Sequence, residues 1–242
     1  MKFAVIGGTG LIGSQVVRNL NAVGHEAVPH AQSTGVDVIS GEGLDAAVAG
    51  ADVVVDLTNS PTFDEASPAF FRNSMDNLLA AAAEAGVGHF VILSIVGVDK
   101  VPELDYYRAK TLQENLLAAG PVPYSIVRAT QFMEFVDAVL SWTADGDTVR
   151  LPATPIQPIA AKDVAAAVTQ VAVGTPLRGI RNVAGPEILP LDELGRITLA
   201  HKGDRRTVVT DPTAGMFAAV RGDVLTDKEA HLAPTRYTDW LS

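Results

Sequence analysis

The sequence predicts an α/β fold, a doubly wound parallel sheet with helices on both faces and a small C-terminal lobe. Three observations predict it. The apolar run Phe3-Ala4-Val5-Ile6 leads directly into the glycine turn Gly7-Gly8-Thr9-Gly10-Leu11-Ile12-Gly13 and then into a helix-like stretch, Ser14 to Ala22. Apolar runs and helical stretches then alternate through the first half of the chain, the pattern of parallel strands joined by right-handed crossovers. The run Asp52-Val53-Val54-Val55-Asp56-Leu57 is continuously apolar between its acids, as in a strand covered on both faces.

The remaining elements follow in order. Glu26 to His30 reads as a second strand, with Pro29 arguing for a strand end or an irregular edge. Val36 to Ile39 reads as a third strand and Leu44 to Ala49 as a short helix. Thr58-Asn59-Ser60-Pro61 ends the Asp52 run with turn residues. A helix is predicted from Ala69 to Ala85, closed by Gly86 or Gly88, before the strand His89 to Leu93. Leu104 to Ala119 is helical up to Gly120-Pro121, and Tyr124 to Arg128 is the next strand.

Beyond Arg128 the regularity weakens. Helices are predicted over Phe132–Ala144, Asp163–Val173 and Leu191–Ala200, with short strands near Val149–Leu151, Ile156–Ile159, Asn182–Ala184 and Thr207–Val209. Asp163 is expected to cap its helix, since its side chain can accept from the following N–H groups. The predicted organisation is a single domain over residues 1–242, with a dinucleotide-binding core at 1–130. Residues 131–242 complete the sheet and form a substrate lobe at its C-terminal edge, where ligands of open α/β sheets bind.

Composition narrows the function. The chain has 242 residues, 48% hydrophobic and 19% charged, enough for one substantial core. A net charge of −10 argues against nucleic acid, whose binding needs clustered Lys and Arg. The chain has no cysteine, so disulfides and thiolate sites are excluded, and its five histidines show no metal-ligand spacing. No metal is expected. No leader pattern precedes the first strand and no apolar stretch is long enough to span a bilayer, so a cytoplasmic protein with a small-molecule substrate is expected.

The glycine turn carries the strongest chemical signal. A helix N-terminus leaves backbone N–H groups unpaired and carries partial positive charge, so it can hold a pyrophosphate without a basic side chain. Gly7, Gly10 and Gly13 divide the work: one for the tight turn, one for phosphate approach and one for close helix packing. A second constellation lies later. Ser94 closes a predicted strand, and Tyr106 and Lys110 stand four apart on the following helix, on one face. A tyrosine titrates near 10, so a catalytic one needs a neighbour such as an ammonium to stabilise its phenolate.

These residues resemble the short-chain dehydrogenase/reductase superfamily, specifically its atypical NmrA-like branch. The resemblance is carried by Gly7 to Gly13, Leu93-Ser94-Ile95-Val96-Gly97, Tyr106-x-x-x-Lys110, Arg128-Ala129-Thr130-Gln131-Phe132 and Ile159 to Ala165, and covers nearly the whole chain. It implies a Rossmann-type fold and an NAD(P)-dependent oxidoreductase moving hydride between nicotinamide and a small carbonyl or hydroxyl compound. Tyr106 would be the general acid or base, Lys110 would bind the nicotinamide ribose and lower the tyrosine pKa, and Ser94 would hold the substrate oxygen. Gly7, Thr9, Gly10, Leu11, Ile12 and Gly13 would cradle the coenzyme. Leu57, Thr58, Asn59 and Ser60 would line its groove, unless Asn59 and Ser60 serve only the turn. Gln131 and Phe132 would meet the substrate, unless Phe132 is core. Many relatives carry a relay asparagine in the helix before the catalytic strand; here Phe71 stands near that place, with Asn73 out of register.

NAD preference usually comes from a carboxylate at the end of the second strand. His30-Ala31-Gln32-Ser33-Thr34 has none, and Ser33 and Thr34 could bond a 2′-phosphate, so NADP is favoured and NAD remains possible. No arginine stands there for a bidentate contact, and the segment could be only a polar turn. Two further readings stay open: an NmrA-like sensor that binds NADP(H) without turnover, and a nucleotide-sugar epimerase or isomerase. The short C-terminal half argues against the second.

Overall fold

The computed structural model describes residues 1–220 and 222–242. The chain divides into two compact units, residues 1–128 with 164–181, and residues 129–163 with 182–242. The helix and strand start within residues 164–181 thus return to the first unit, which a single cut after residue 130 does not anticipate.

In chain order come β1 (Lys2–Ile6), α1 (Gly13–Ala22), β2 (Glu26–His30), α2 (Leu44–Val48), β3 (Val53–Asp56), α3 (Ser67–Glu84), β4 (His89–Ile95), α4 (Asp105–Ala119) and β5 (Tyr124–Ala129). Then come α5 (Val136–Trp142), β6 (Ala144–Asp145), β7 (Thr148–Leu151), β8 (Pro155–Ile156), α6 (Ala161–Val173), β9 (Ile180–Ala184), β10 (Leu189–Pro190), α7 (Leu191–Lys202), β11 (Thr207–Thr210), β12 (His231–Leu232) and α8 (Tyr237–Leu241). Seven strands form one parallel sheet in the order β12-β9-β5-β4-β3-β1-β2. The chain leaves β1 for β2 on one side and returns to β3 on the other. That reversal makes the carboxyl ends of β1 and β3 the switch point where ligands of such sheets bind.

Apolar sequence explains the sheet. Phe3 to Ile6, Val53 to Val55 and Phe90 to Ile92 are all buried, as parallel strands with two covered faces require. On one face Ala4, Ile6, Val54, Phe90 and Ile92 pack with Met75 and Leu78 of α3 and Leu117 of α4 into one core cluster. Pro29 sits in β2, the edge strand, where its missing N–H costs no ladder bond on the open side.

Three expectations are corrected. Val36 to Ile39 is a turn and not a strand, because the Asp37 carboxylate accepts the Ile39 and Ser40 N–H groups at 2.8 and 3.4 Å and bends the chain back on itself. Phe132 is extended and pairs with Ile159 in a parallel bridge, so α5 begins four residues later, at Val136. Asp163 does not cap α6, which starts at Ala161; the Glu134 carboxylate accepts the Ala161 N–H at 3.0 Å instead, and Asp163 accepts from the Thr235 N–H at 3.2 Å.

In the second unit β7 pairs antiparallel with β6 and parallel with β11, and β8 pairs antiparallel with β10. Helix α7 lies so close to this sheet that a Cβ on Gly195 would stand 2.5 Å from the Leu151 side chain. Among the described residues no helix is long and apolar enough to cross a membrane.

Candidate active site

The glycine turn lies on the switch point. Gly7 adopts φ +75°, and a Cβ there would stand 2.8 Å from the Leu57 carbonyl group, so backbone meets backbone where β1 and β3 end. The N–H groups of Gly7 and Gly8 both donate to the His30 carbonyl, at 2.8 and 3.2 Å, which ties the turn to β2. Gly13 is the closest contact: its Cβ would stand 2.1 Å from the Gly7 carbonyl oxygen. Gly10 differs, since a Cβ there would meet only the Gly7 oxygen, at 3.3 Å.

The outer side of this turn fits a dinucleotide. Thr9, Gly10 and Leu11 are exposed, and among the described residues no carbonyl takes the N–H of Leu11 or Ile12. The start of α1 has no side-chain cap and no acid in its first turn, so neither competes with an anion for the helix N-terminus.

At the end of β4, Ser94 is 3% exposed and its hydroxyl has no hydrogen-bond partner among the described residues. A buried polar group without a partner costs free energy, so such a group beside a candidate site points to a ligand oxygen. Its neighbour Leu93 offers its carbonyl to the Lys110 ammonium at 2.7 Å. Lys110, on α4, also donates to Gln113 Oε1 and lies 4.8 Å from the centre of the Phe71 ring. Gln113 Nε2 in turn donates to Asp56 Oδ2 at 3.0 Å. Burial pulls the Lys110 ammonium down to about 8, while Asp56 and Glu114 pull it back up.

Tyr106 stands one turn before Lys110 and also borders Phe71, with ring centres 6.3 Å apart. Its hydroxyl donates to Asn59 Oδ1, and Phe63 meets its ring edge-on at 4.8 Å. Burial pushes the phenol up to about 12, and the Asn59 contact is what pulls it back. The expected lowering of the tyrosine by Lys110 is therefore absent from this geometry. The Lys110 ammonium donates instead to the Leu93 carbonyl and to Gln113 Oε1, whose amide N–H reaches Asp56.

The other predicted residues divide. Asn59 serves Tyr106; Ser60 is 4% exposed and its oxygen lies 3.1 Å from the hydroxyl of Ser67, the first residue of α3. Thr58 donates its N–H and hydroxyl to Asp56 Oδ1, at 2.9 and 2.7 Å. The Thr34 hydroxyl closes its own turn, accepting the Ala31 N–H and donating to the Ala31 carbonyl, so it is committed before any phosphate arrives. Ser33 is exposed. The fold also brings a carboxylate where the strand end had none: Asp37 Oδ2 lies 3.4 Å from Gln32 Nε2. Gln131 and Phe132 belong to the second unit, where Gln131 Oε1 accepts from the Gln157 N–H at 3.4 Å and its Nε2 has no partner among the described residues.

Sequence reasoning missed Asp56 and Gln113. The signal for the first was present, an acid closing a run of buried valines. The second stands three residues after Lys110, one helical turn on the same face.

Comparisons with known proteins bear on the fold and the coenzyme. A family model described as NAD(P)H-binding matches residues 7–173. The chain is 31% identical over 209 residues to a (4-alkanoyl-5-oxo-2,5-dihydrofuran-3-yl)methyl phosphate reductase of Streptomyces griseus subsp. griseus, covering 78% of this chain and 70% of that protein. It is 27% identical over 150 residues to the photosystem II assembly factor Ycf39 of Synechocystis sp., covering 55% of this chain and 46% of that relative. The UDP-glucose 4-epimerase of Thermus thermophilus, solved in complex with NAD, shares the fold with a TM-score of 0.71 at 18% identity, covering 87% of this chain and 86% of that one.

Proposed function

This chain belongs to the NAD(P)H-binding family, and on that premise we propose that it is an oxidoreductase of the short-chain dehydrogenase/reductase type, from the NmrA-like branch, acting on a small carbonyl or hydroxyl compound. The observation that carries the reading is the buried, unpartnered hydroxyl of Ser94, in the same compact unit as the glycine turn, Lys110 and Tyr106. Gly7, Thr9, Gly10, Leu11, Ile12 and Gly13 would hold the coenzyme diphosphate, and Lys110 its nicotinamide ribose. When bound, the coenzyme supplies or accepts the hydride; the protein supplies position and field.

The rest is done by side chains. Ser94 donates its hydroxyl hydrogen to the substrate oxygen and so acquires the partner it lacks. In the reducing direction Tyr106 gives its proton to that same oxygen. Its hydroxyl donates to Asn59 Oδ1 beforehand, so the substrate oxygen replaces Asn59 as acceptor.

Two features pull coenzyme choice in opposite directions. The strand end lacks a carboxylate and exposes Ser33, which favours NADP(H); Asp37, held beside Gln32, repels a 2′-phosphate and favours NAD(H). We place the balance with NADP(H) on the strand end itself; Asp37, held ionised by the Ile39 and Ser40 N–H groups and Gln32, is the opposing feature.

The test is direct. Fluorescence of NADPH and NADH with the purified protein ranks the coenzymes, and a carbonyl panel led by alkanoyl-furanone methyl phosphates, which the reductase relative's name suggests, is then screened for coenzyme oxidation. With an active substrate in hand, Tyr106→Phe is expected to keep coenzyme affinity and lower turnover by about 10²–10⁴-fold. Full turnover in that variant would remove Tyr106 from the chemistry. A second reading, an NADP(H)-sensing protein without turnover, is favoured by one observation, the phenol already engaged by Asn59. Redox-dependent affinity with no turnover across the panel would select it.

A further inference from the structure

Three polar side chains are buried together under the candidate site: Asp56 is 1% exposed, Gln113 1% and Lys110 4%. Buried charges are costly unless paired, and a buried pair is often no more stabilising than apolar residues of the same shape. Their arrangement has a direction. Asp56 Oδ1 accepts the Thr58 N–H and hydroxyl, and Oδ2 accepts from Gln113 Nε2. Burial raises the Asp56 pKa, and the Thr58 and Gln113 donors and the Lys110 charge oppose it; among the described residues three donors converge on the carboxyl group and no acceptor is bonded to it, which is the pattern of an ionised carboxylate.

The Gln113 amide is then fixed. Its NH₂ faces the anion and its oxygen faces the Lys110 ammonium. Turned over, the amide would put NH₂ against the ammonium and oxygen against the carboxylate, like against like. Lys110 has three donors, of which the Leu93 carbonyl and Gln113 take two. The other charge that acts on Lys110 among the described residues is Glu114, and Tyr106 stands one turn before it, both on α4. Glu114 is already claimed by Arg128, whose Nε and Nη2 donate to its two oxygens at 2.9 and 2.6 Å. Asp56 is thus the carboxylate connected to Lys110 through hydrogen bonds.

We propose that Asp56 and Gln113 are positioning residues for Lys110: the carboxylate, acting through the amide, holds the ammonium charged at the Leu93 carbonyl and leaves one N–H for a ligand. This rests on the reading of Lys110 as the residue that holds the coenzyme. It makes Asp56→Asn worse than the loss of a charge, because the new NH₂ would face Gln113 Nε2 and force the amide over, aiming its NH₂ at the ammonium. It makes Asp56→Asn/Gln113→Glu a rescue. The carboxylate moves next to Lys110, the NH₂ introduced at position 56 donates to it, and the amide oxygen at position 56 still accepts from Thr58.

The ε-CH₂ signals of ¹³C-lysine-labelled protein, with Lys110 assigned through Lys110→Arg, read the ammonium directly. Asp56→Asn is expected to lower the Lys110 midpoint by about one pH unit or more, and the double variant to return it to within about half a unit of wild type. The pH above which coenzyme affinity declines, read by fluorescence, should move by the same amount. A Lys110 midpoint in Asp56→Asn within about 0.3 unit of wild type, or a double variant that stays low, overturns the proposal. If Asp56→Asn does not fold, Gln113→Leu, which cuts the same link, is read in its place. A midpoint that moves while coenzyme affinity does not follow leaves the link standing and removes Lys110 from coenzyme binding.

Discussion

The turn between β1 and α1 and the face of α4 that carries Tyr106 and Lys110 are made of different materials. The turn works with backbone: its contacts are carbonyl to Cα at glycines, and its offered donors are N–H groups. The α4 face works with side chains whose partners, Asn59, Leu93, Phe71 and Asp56, come from three other elements or their ends. Backbone sites are written locally in the sequence, whereas side-chain sites are completed by the fold. The difference is sharpest between Gly13 and Gly10. A methyl group on Gly13 would stand 2.1 Å from the Gly7 oxygen, against 3.3 Å for one on Gly10. Gly13→Ala is therefore expected to cost about 3 kcal/mol or more in urea unfolding, the upper end of overpacking. Gly10→Ala should leave stability within about 0.5 kcal/mol, while NADPH fluorescence titration shows a clear loss of affinity. Equal stability losses from the two would break the comparison.

The same contrast explains what could be read ahead of the structure. Gly7 to Gly13, the buried strands and the long helices α3 and α4 are determined by neighbours within a few positions, and they are legible in the sequence. The spacing of Tyr106 and Lys110 puts both at Phe71, but it cannot show which way the ammonium turns. That depends on Asp56 and Gln113, and Asp56 lies more than fifty positions from Lys110. Val36 to Ile39 has strand composition and still forms a turn, because one side chain, Asp37, offers its backbone a closer partner than a neighbouring strand. Thr34 reads as a free donor in the sequence and is spent on Ala31, a bond within its own turn that composition cannot announce. Asp163 loses the cap to Glu134, a residue almost thirty positions away.

Ser94 gives the comparison a second edge, because it should separate stability from activity. Its buried hydroxyl has no partner, so Ser94→Ala removes a desolvated polar group without breaking a bond. The expected result is a variant as stable as wild type or more so, by up to about 1 kcal/mol, read as a raised melting temperature. Turnover on any active substrate should fall by about tenfold or more, the loss of one donor to the reacting oxygen. A lower melting temperature would mean that the hydroxyl has a structural partner, and the argument for a ligand there would fail.

The smallest expected effect lies at the opposite end of the same strand. His89 opens β4 and is 3% exposed, like Ser94, but its Nε2 lies 2.8 Å from Ser125 Oγ. The Leu177 N–H donates to that oxygen at 2.9 Å, and the serine hydroxyl can donate its own hydrogen to an unprotonated Nε2. Burial accordingly lowers the His89 pKa from 6.5, with the Ala172 carbonyl opposing. The sign follows from linkage. In the unfolded chain His89 takes its proton as pH falls through 6.5, whereas the folded chain resists it, so stability is full above that value and declines below it. His30 shifts in the same direction and contributes in the same window, so the wild-type curve alone does not isolate His89. His89→Gln does, since an amide can accept from Ser125 and does not titrate over this range. Between pH 7 and pH 5 its melting temperature should decline less than that of wild type, while at pH 7 it should be the lower of the two. Parallel curves would show that the proton is accepted at no cost to the fold, and that the start of β4 is as open to a new partner as its end.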